Sequence, residues 1–414
     1  MVFKEIRRKL TEPSYPNTPI DDFRMSDATF DQLQAALDSG GTTALLDRLV
    51  AELRVQGKYH ELFDALLLQA RHRLGLPVII TAPLEDLPEP VRTQVEDSYL
   101  AACREVGGLL LGAGNLRAAW MYLRPVGDKQ LVAAALAKIE PDEDNLEDII
   151  EIALHEGMAP GLGYQLVLEH HGTCDAISTF EAALSGRPRG DQQIAAALLV
   201  QHLYRELVAS LREDIRRHEG TDTSETSLVA LLADRDWLFS NNNYHIDTTH
   251  LAATVRFARV VDDPQVLRLA IELTEYGRQL SRQFQYSGEE PFVDLYATHA
   301  LFFRALLGEG EEVESALQFF RDRAAAVKVE ESGTLAAETY ISLLARLGRF
   351  SAAVDAAAEL LPSKVRGGGL APSLLELSQQ AGSYDRLLET ARAKDDLVSY
   401  CAGLLARRGG AGAQ

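Results

Sequence analysis

The residues with the most chemistry in the smallest space are His245, Asp247 and His250, spaced HxDxxH within FSNNNYHIDTTH at 239–250. Two neutral imidazoles and a carboxylate are ligands a divalent metal takes, at about 2.0–2.2 Å. Residues two and five apart do not share a helix face, so such a site requires a loop. The alternative is structural. Asp247 or Thr248 caps a helix containing Leu251, Val255 and Ala258, and His250 falls in its first turn. There the helix dipole disfavours an imidazolium, leaving a neutral ring fit to bind a metal, act as general base, or make a simple hydrogen bond. No HExxH or ExxH pattern accompanies these residues.

A second polar-aromatic loop, RQFQYSGEEPF at 282–292, brings Glu289, Glu290 and Pro291, residues suited to the positive end of a following helix. On that helix Phe292, Tyr296, His299 and Phe303 share one face at i, i+4, i+7 and i+11. A histidine on an aromatic stripe is ordinarily a core residue with a hydrogen-bond partner. The sharper reading gathers His299, His245, His250, Glu289 and Glu290 at the wall of one pocket, with His250 as base or a divalent metal as Lewis acid. No other cofactor is expected. Around both loops, the segment 237–303 holds 11 of the chain's 29 aromatic residues in 67 of 414 positions, where even spreading gives about 5. Long loops and clustered aromatics mark binding surfaces, so Trp237, Tyr244, Tyr286, Glu289 and Glu290 are the surface expected to hold a protein or peptide partner.

Several other histidines have an ordinary explanation. ALHEG, LEHHG and RRHEG each set His155, His171 or His218 shortly before a Gly, the pattern of a helix C-terminus. HHGTC resembles half a zinc site, but spacing to Ile177, Phe180 and Leu184 directs Cys174 to the core. There is no GxxxxGK[ST], no GxSxG and no strand-borne GxGxxG. The glycines at 107–114 and 367–369 read as turns between helices.

These residues need elements to hold them, and the periodicity is helical throughout. In 190–217, Val200, Tyr204, Leu207, Leu211 and Ile215 form one stripe; in 263–281, Val266, Ala270, Leu273 and Leu280 form another. LPVIITAPL at 76–84 has Pro near both ends and reads as loop. The fold class expected is all-α. One turn signature recurs, as GKYHEL at 57, GNLRAA at 114, GRFSAA at 348 and GSYDRL at 382, with a weaker turn at Gly310. Gly348 and Gly382 are 34 residues apart.

These motifs, best developed in ISLLARLGRFSAAVDAAAELLP (341–362) and LLELSQQAGSYDRLLETA (374–391), resemble the tetratricopeptide repeat. The first-helix Trp of that repeat is absent and Pro362 comes early. The resemblance implies a right-handed superhelix of antiparallel helix hairpins, an α-solenoid. Along the chain it suggests an arm and first helix over 1–40, a hairpin array over 41–236, the aromatic segment over 237–308, repeats over 309–408 and a tail over 409–414.

Composition narrows the partners. Forty-one Lys and Arg against 61 Asp and Glu give a net charge of −20, which argues against nucleic acid. No apolar run approaches the roughly 18–20 residues of a membrane span, and the charged start MVFKEIRRKL is no signal peptide. Three scattered cysteines without a CxxC pair exclude a disulfide framework and suit a reducing, cytoplasmic setting. Two functions stand at this point: a peptide- or protein-binding scaffold, or an all-α enzyme or metal protein using the 239–250 and 282–299 segments.

Overall fold

The computed structural model describes residues 27–79, 83–308, 312–328, 332–362 and 369–410. Residues 1–26 of the arm, the Gly310 turn, Gly367, Gly368 and residues 411–414 of the tail lie outside these. Among the described residues there are nineteen α-helices and no strand; the protein is all-α. It divides into two compact units, 1–159 and 160–414.

The first unit comprises α1 (Asp27–Val55), α2 (Tyr59–Arg73), α3 (Glu89–Gly112), α4 (Leu116–Val126), α5 (Lys129–Leu136) and α6 (Leu146–Ile150). α1 is kinked at Gly41, whose φ of 68° lies in the left-handed region. Successive helices pack on one another from α1 to α4. Their core joins Leu62, Phe63, Tyr99, Cys103, Val106, Ala119 and Tyr122, with Phe63 edge-on to Tyr99 at 5.5 Å.

The second unit begins with α7 (Pro160–Leu166), α8 (Gly172–Thr179) and the 31-residue α9 (Arg189–Glu219). It continues through α10 (Leu228–Leu232), α11 (Thr248–Phe257), α12 (Pro264–Gln279) and α13 (Leu295–Leu306). α14 (Glu312–Ala326), α15 (Leu335–Arg346), α16 (Phe350–Leu360), α17 (Leu374–Ala381), α18 (Asp385–Ala393) and α19 (Leu397–Gly410) complete it. α9 is central, packing on α7, α8, α10, α11 and α12. Among the described residues it is the one helix long and apolar enough to cross a membrane, an exception to the sequence reading. Its stripe is spent on packing: Val200, Leu207, Leu211 and Ile215 are fully buried, and Tyr204 is half-buried.

The recurrent turn has one physical form. Gly57, Gly114, Gly348 and Gly382 all take φ between 68° and 77°. In each, the residue after Gly donates its N–H to the carbonyl five positions back: Lys58 to Leu53 (3.0 Å), Asn115 to Leu110 (2.9 Å), Arg349 to Leu344 (2.9 Å) and Ser383 to Ser378 (3.1 Å). This is the Schellman closure, which glycine permits without a Cβ clash. The sixth residue of each motif, Leu62, Ala119, Ala353 or Leu387, is buried between the paired helices. Asp395 takes the same role between α18 and α19 at φ 52°, with Asp396 N–H bonded to Ala391 O at 2.8 Å.

Two local expectations are corrected. The helix expected from Pro291 starts at Leu295, with Asp294 accepting from Ala297 N–H at 3.2 Å. A tight turn, with Phe292 N–H bonded to Glu289 O at 2.6 Å and Gly288 N–H to Val293 O at 3.3 Å, holds 288–293 out of the helix. Cys174 is exposed rather than in the core. A π turn at Val167–His171 precedes it, and α8 starts afresh at Gly172 (φ 85°), so Thr173, Ala176 and Phe180 face inward instead.

Candidate functional site

Asp247 caps α11 as the spacing requires. Its Oδ1 accepts from Thr249 N–H at 2.8 Å, His250 N–H at 3.2 Å and Thr249 Oγ1 at 2.6 Å. The Thr249 hydroxyl first, then these backbone N–H groups, hold its carboxyl below the usual range. His250 follows in the first turn, half-buried.

His245 points elsewhere. Its Nε2 lies 3.1 Å from Asp214 Oδ2 on α9, its Nδ1 3.2 Å from the Tyr276 hydroxyl on α12, and its backbone N–H donates to that hydroxyl at 2.8 Å. These partners assign the tautomer: Nε2–H donates to the carboxylate and Nδ1 accepts from the phenol. The side chain is 4 % exposed. Burial lowers the imidazole pKa and Asp214 opposes that shift, while burial raises the Tyr276 phenol. Both ring nitrogens are therefore spent on binding the 243–247 loop to α9 and α12.

His299 is completely buried on α13. Its Nδ1 donates to Leu295 O at 2.6 Å, and its ring stacks on Phe292 at 4.0 Å. Its Nε2 has no hydrogen-bond partner. Burial, then the Arg259 cation, push its pKa well below the ordinary value, so the ring is neutral. Glu290 pairs with Arg323 at 3.3 Å, and Glu289 is exposed. His245 is held by Asp214 and Tyr276 and Glu290 by Arg323, whereas His299 and Glu289 both feel the Arg259 charge. Among the described residues no three His, Cys, Asp or Glu side chains come together to hold a metal ion.

The aromatic segment is in large part core. Tyr276, Phe292, Tyr296, Phe302 and Phe303 are buried, whereas Tyr244 and Tyr286 are 49 % and 37 % exposed. Trp237 is half-buried and stacks on His218 at 3.9 Å. The two long loops do meet: Tyr244 lies edge-on to Phe284 at 5.0 Å, and the Tyr286 hydroxyl is 2.9 Å from Thr248 Oγ1. Under them Gly277 lets Tyr296 approach, for a Cβ there would stand 2.5 Å from the ring. Gly277→Val is expected to cost about 3 kcal/mol by overpacking, read as a lower urea midpoint with an unchanged m-value.

Gly369 does not cradle a phosphate. It abuts the buried carboxylate of Glu338, whose Oε2 accepts Leu370 N–H at 2.7 Å, and a carboxylate repels an anion.

An open concavity lies in the first unit, where sequence reasoning placed no site. A groove of about 710 Å³ runs between α1, α2 and α3. Val50, Leu66, Leu74, Ala101 and Ala102 give it an apolar floor. Arg54 and Glu105 pair across it at 3.1 Å, and Gln69 donates to Asp47 at 2.6 Å. Small residues at Ala70, Ala101 and Ala102 create the space, and small residues in a helix carry no motif to read. No family model, curated protein or solved structure matches this chain.

Proposed function

We propose that the protein is a tetratricopeptide-like scaffold, built as a right-handed stack of antiparallel hairpins, that holds a peptide segment of a partner protein in the α1–α3 groove. The groove itself carries this reading: it is open, apolar along its floor, and flanked by charges of both signs. The four identical Schellman turns support the repeat architecture, because they join helices in the manner of one repeated unit. Three scattered cysteines without a CxxC pair suit a cytoplasmic setting. A charge of −20 sets nucleic acid aside as the partner.

An amphipathic peptide fits best, with apolar side chains on Val50 and Leu66 and polar groups at Asp47, Arg73 and Asp97. The test is to select peptides from a displayed library on the full chain and then fill the groove with Ala70→Trp and Ala101→Trp. Both positions have room at the surface, so helicity should persist by circular dichroism. Selected peptides should bind at least about tenfold more weakly, equivalent to about 1.4 kcal/mol. Undiminished binding to the filled groove would sink the assignment.

The exposed Tyr244 and Tyr286, on loops braced against each other, support a second contact surface. Loss of those peptides on Tyr244→Ala with Tyr286→Ala, and not on groove filling, would place recognition there. The alternative of a His/Asp/Glu catalytic pocket gains no support from the enclosed imidazoles of His245 and His299.

A further inference from the structure

The helix α19 is bound on one side only. Inward, Gly403 is close enough to α18 that an added Cβ would meet Leu387 at 2.9 Å and Leu388 at 3.1 Å. Lys394, just before it, donates to Ala358 O at 3.3 Å and Leu361 O at 2.8 Å, fixing the preceding turn to α16. Outward, Leu397 is 77 % exposed, Val398 80 %, Leu404 36 % and Leu405 72 %, and the Cys401 thiol is exposed. At about 100° per residue these five side chains fall within roughly 120° of arc, one continuous apolar stripe. Scattered apolar residues on a surface are ordinary, but a contiguous apolar stripe along one helix face marks contact with another molecule.

We propose that this stripe binds a second copy of the chain, with the two α19 helices antiparallel about a two-fold axis at Cys401. The spacing is its own complement. Leu397 and Leu405 lie four residues on either side of Cys401, and Val398 and Leu404 three. An antiparallel pair therefore sets Leu397 of one copy on Leu405 of the other and Val398 on Leu404, and brings the acidic turn at Asp395 and Asp396 level with the basic end at Arg407 and Arg408. A parallel pair would set acid on acid and base on base. A two-fold contact uses the same patch on both copies, which is what this symmetry supplies. The Arg407–Asp385 pair within one chain is 3.5 Å long with both side chains exposed, weak enough to exchange for an intermolecular one. Five apolar side chains a side give an interface near the lower limit of about 1,000 Å² in total, so association in the micromolar range is expected.

The first measurement is sedimentation equilibrium of the full chain between 1 and 100 µM, with about that range set by weak interfaces. A monomer–dimer equilibrium is expected, weakened at least about tenfold by Leu397→Ser with Leu405→Ser. Both residues face solvent, so the fold is retained. A charge exchange then tests the geometry. Leu397→Lys alone and Leu405→Glu alone should each weaken the dimer, and the two together in one chain should restore it in part, since 397 meets 405 across the axis. Finally, in a Cys174→Ser background, diamide should take two electrons and two protons from two Cys401 thiols to give a linked dimer. Cys401→Ser should abolish that product. A chain that stays monomeric at the highest concentration, a double exchange that does not restore association, or a linked dimer that persists without Cys401 each overturns the proposal.

Discussion

Arg346→Ala is expected to remove about 2–3 kcal/mol from the stability of the second unit, chiefly by leaving two backbone carbonyls without their donor. The Arg346 side chain is 11 % exposed, and its Nε lies 2.7 Å from Oδ1 of Asp262, a carboxylate that is itself 54 % exposed. The two remaining nitrogens donate to Arg259 O at 2.7 Å and to Val261 O. Burial pushes the guanidinium down to about 10, Asp262 opposes this, and the group stays charged at neutral pH. Asp262 also faces Arg189 at 3.4 Å and accepts from Gln193. One fork thus joins the end of α15 to the turn after α11 and to the start of α9. Alanine would strand two carbonyls and half of Asp262's compensation, and each stranded group costs about 1–3 kcal/mol. Arg346→Lys should recover less than half, because a single ammonium cannot span both carbonyls and the carboxylate. Urea unfolding followed by Trp237 fluorescence in a Trp120→Phe background reads this unit alone. A loss below about 1 kcal/mol would show that the fork is no more than a surface contact.

The second large effect is acid sensitivity set by histidine. His299 is neutral in the fold, with its pKa well below the 6.5 of the unfolded chain, and His245 is shifted in the same direction. Below pH 6.5 the unfolded chain takes up protons that the folded chain refuses. Stability therefore rises with pH through this window and is lost as pH falls, by up to about 1.4 kcal/mol per pH unit for each such histidine. The depressed carboxyls act lower: the contribution of Asp247 is present above 3.8 and is lost as pH falls through its folded value. Between pH 4.5 and 6.5 the slope is thus set largely by the two imidazoles. His299→Phe keeps a ring to stack on Phe292 and should flatten the urea midpoint against pH by close to one proton. An unchanged slope would mean that His299 is protonated within the fold.

What the sequence revealed follows from how local each signal is. The stripe through Val200, Leu207, Leu211 and Ile215 and the Asp247 cap depend on neighbours within a few positions, and both are present in the fold. The glycine turns were legible for the same reason. His245 was not: its partners Asp214 and Tyr276 lie 31 residues away on either side, and only packing brings them to it. Cys174 was misplaced because a π turn rotates the following register, which a uniform 3.6-residue count does not anticipate. The aromatic enrichment of 237–303 was real, but residue type does not say which side of a helix faces water. Its Tyr276, Phe292, Tyr296, Phe302 and Phe303 went inside, leaving Tyr244 and Tyr286 exposed. The α1–α3 groove was invisible because it is made by missing volume at alanines.

The position of α9 has a consequence for how the second unit comes apart. The hairpins closed at Gly348 and Gly382 are made from neighbours in the chain, so their loops cost little entropy to close and they re-form quickly after opening. α9 instead draws its partners from α7 and α8 before it and from α11 and α12 after it. Its backbone amides cannot meet solvent until both sides have let go. Opening of this unit is therefore graded from the C-terminal hairpins inward, and the helix that looks most like a membrane span is the last to be hydrated.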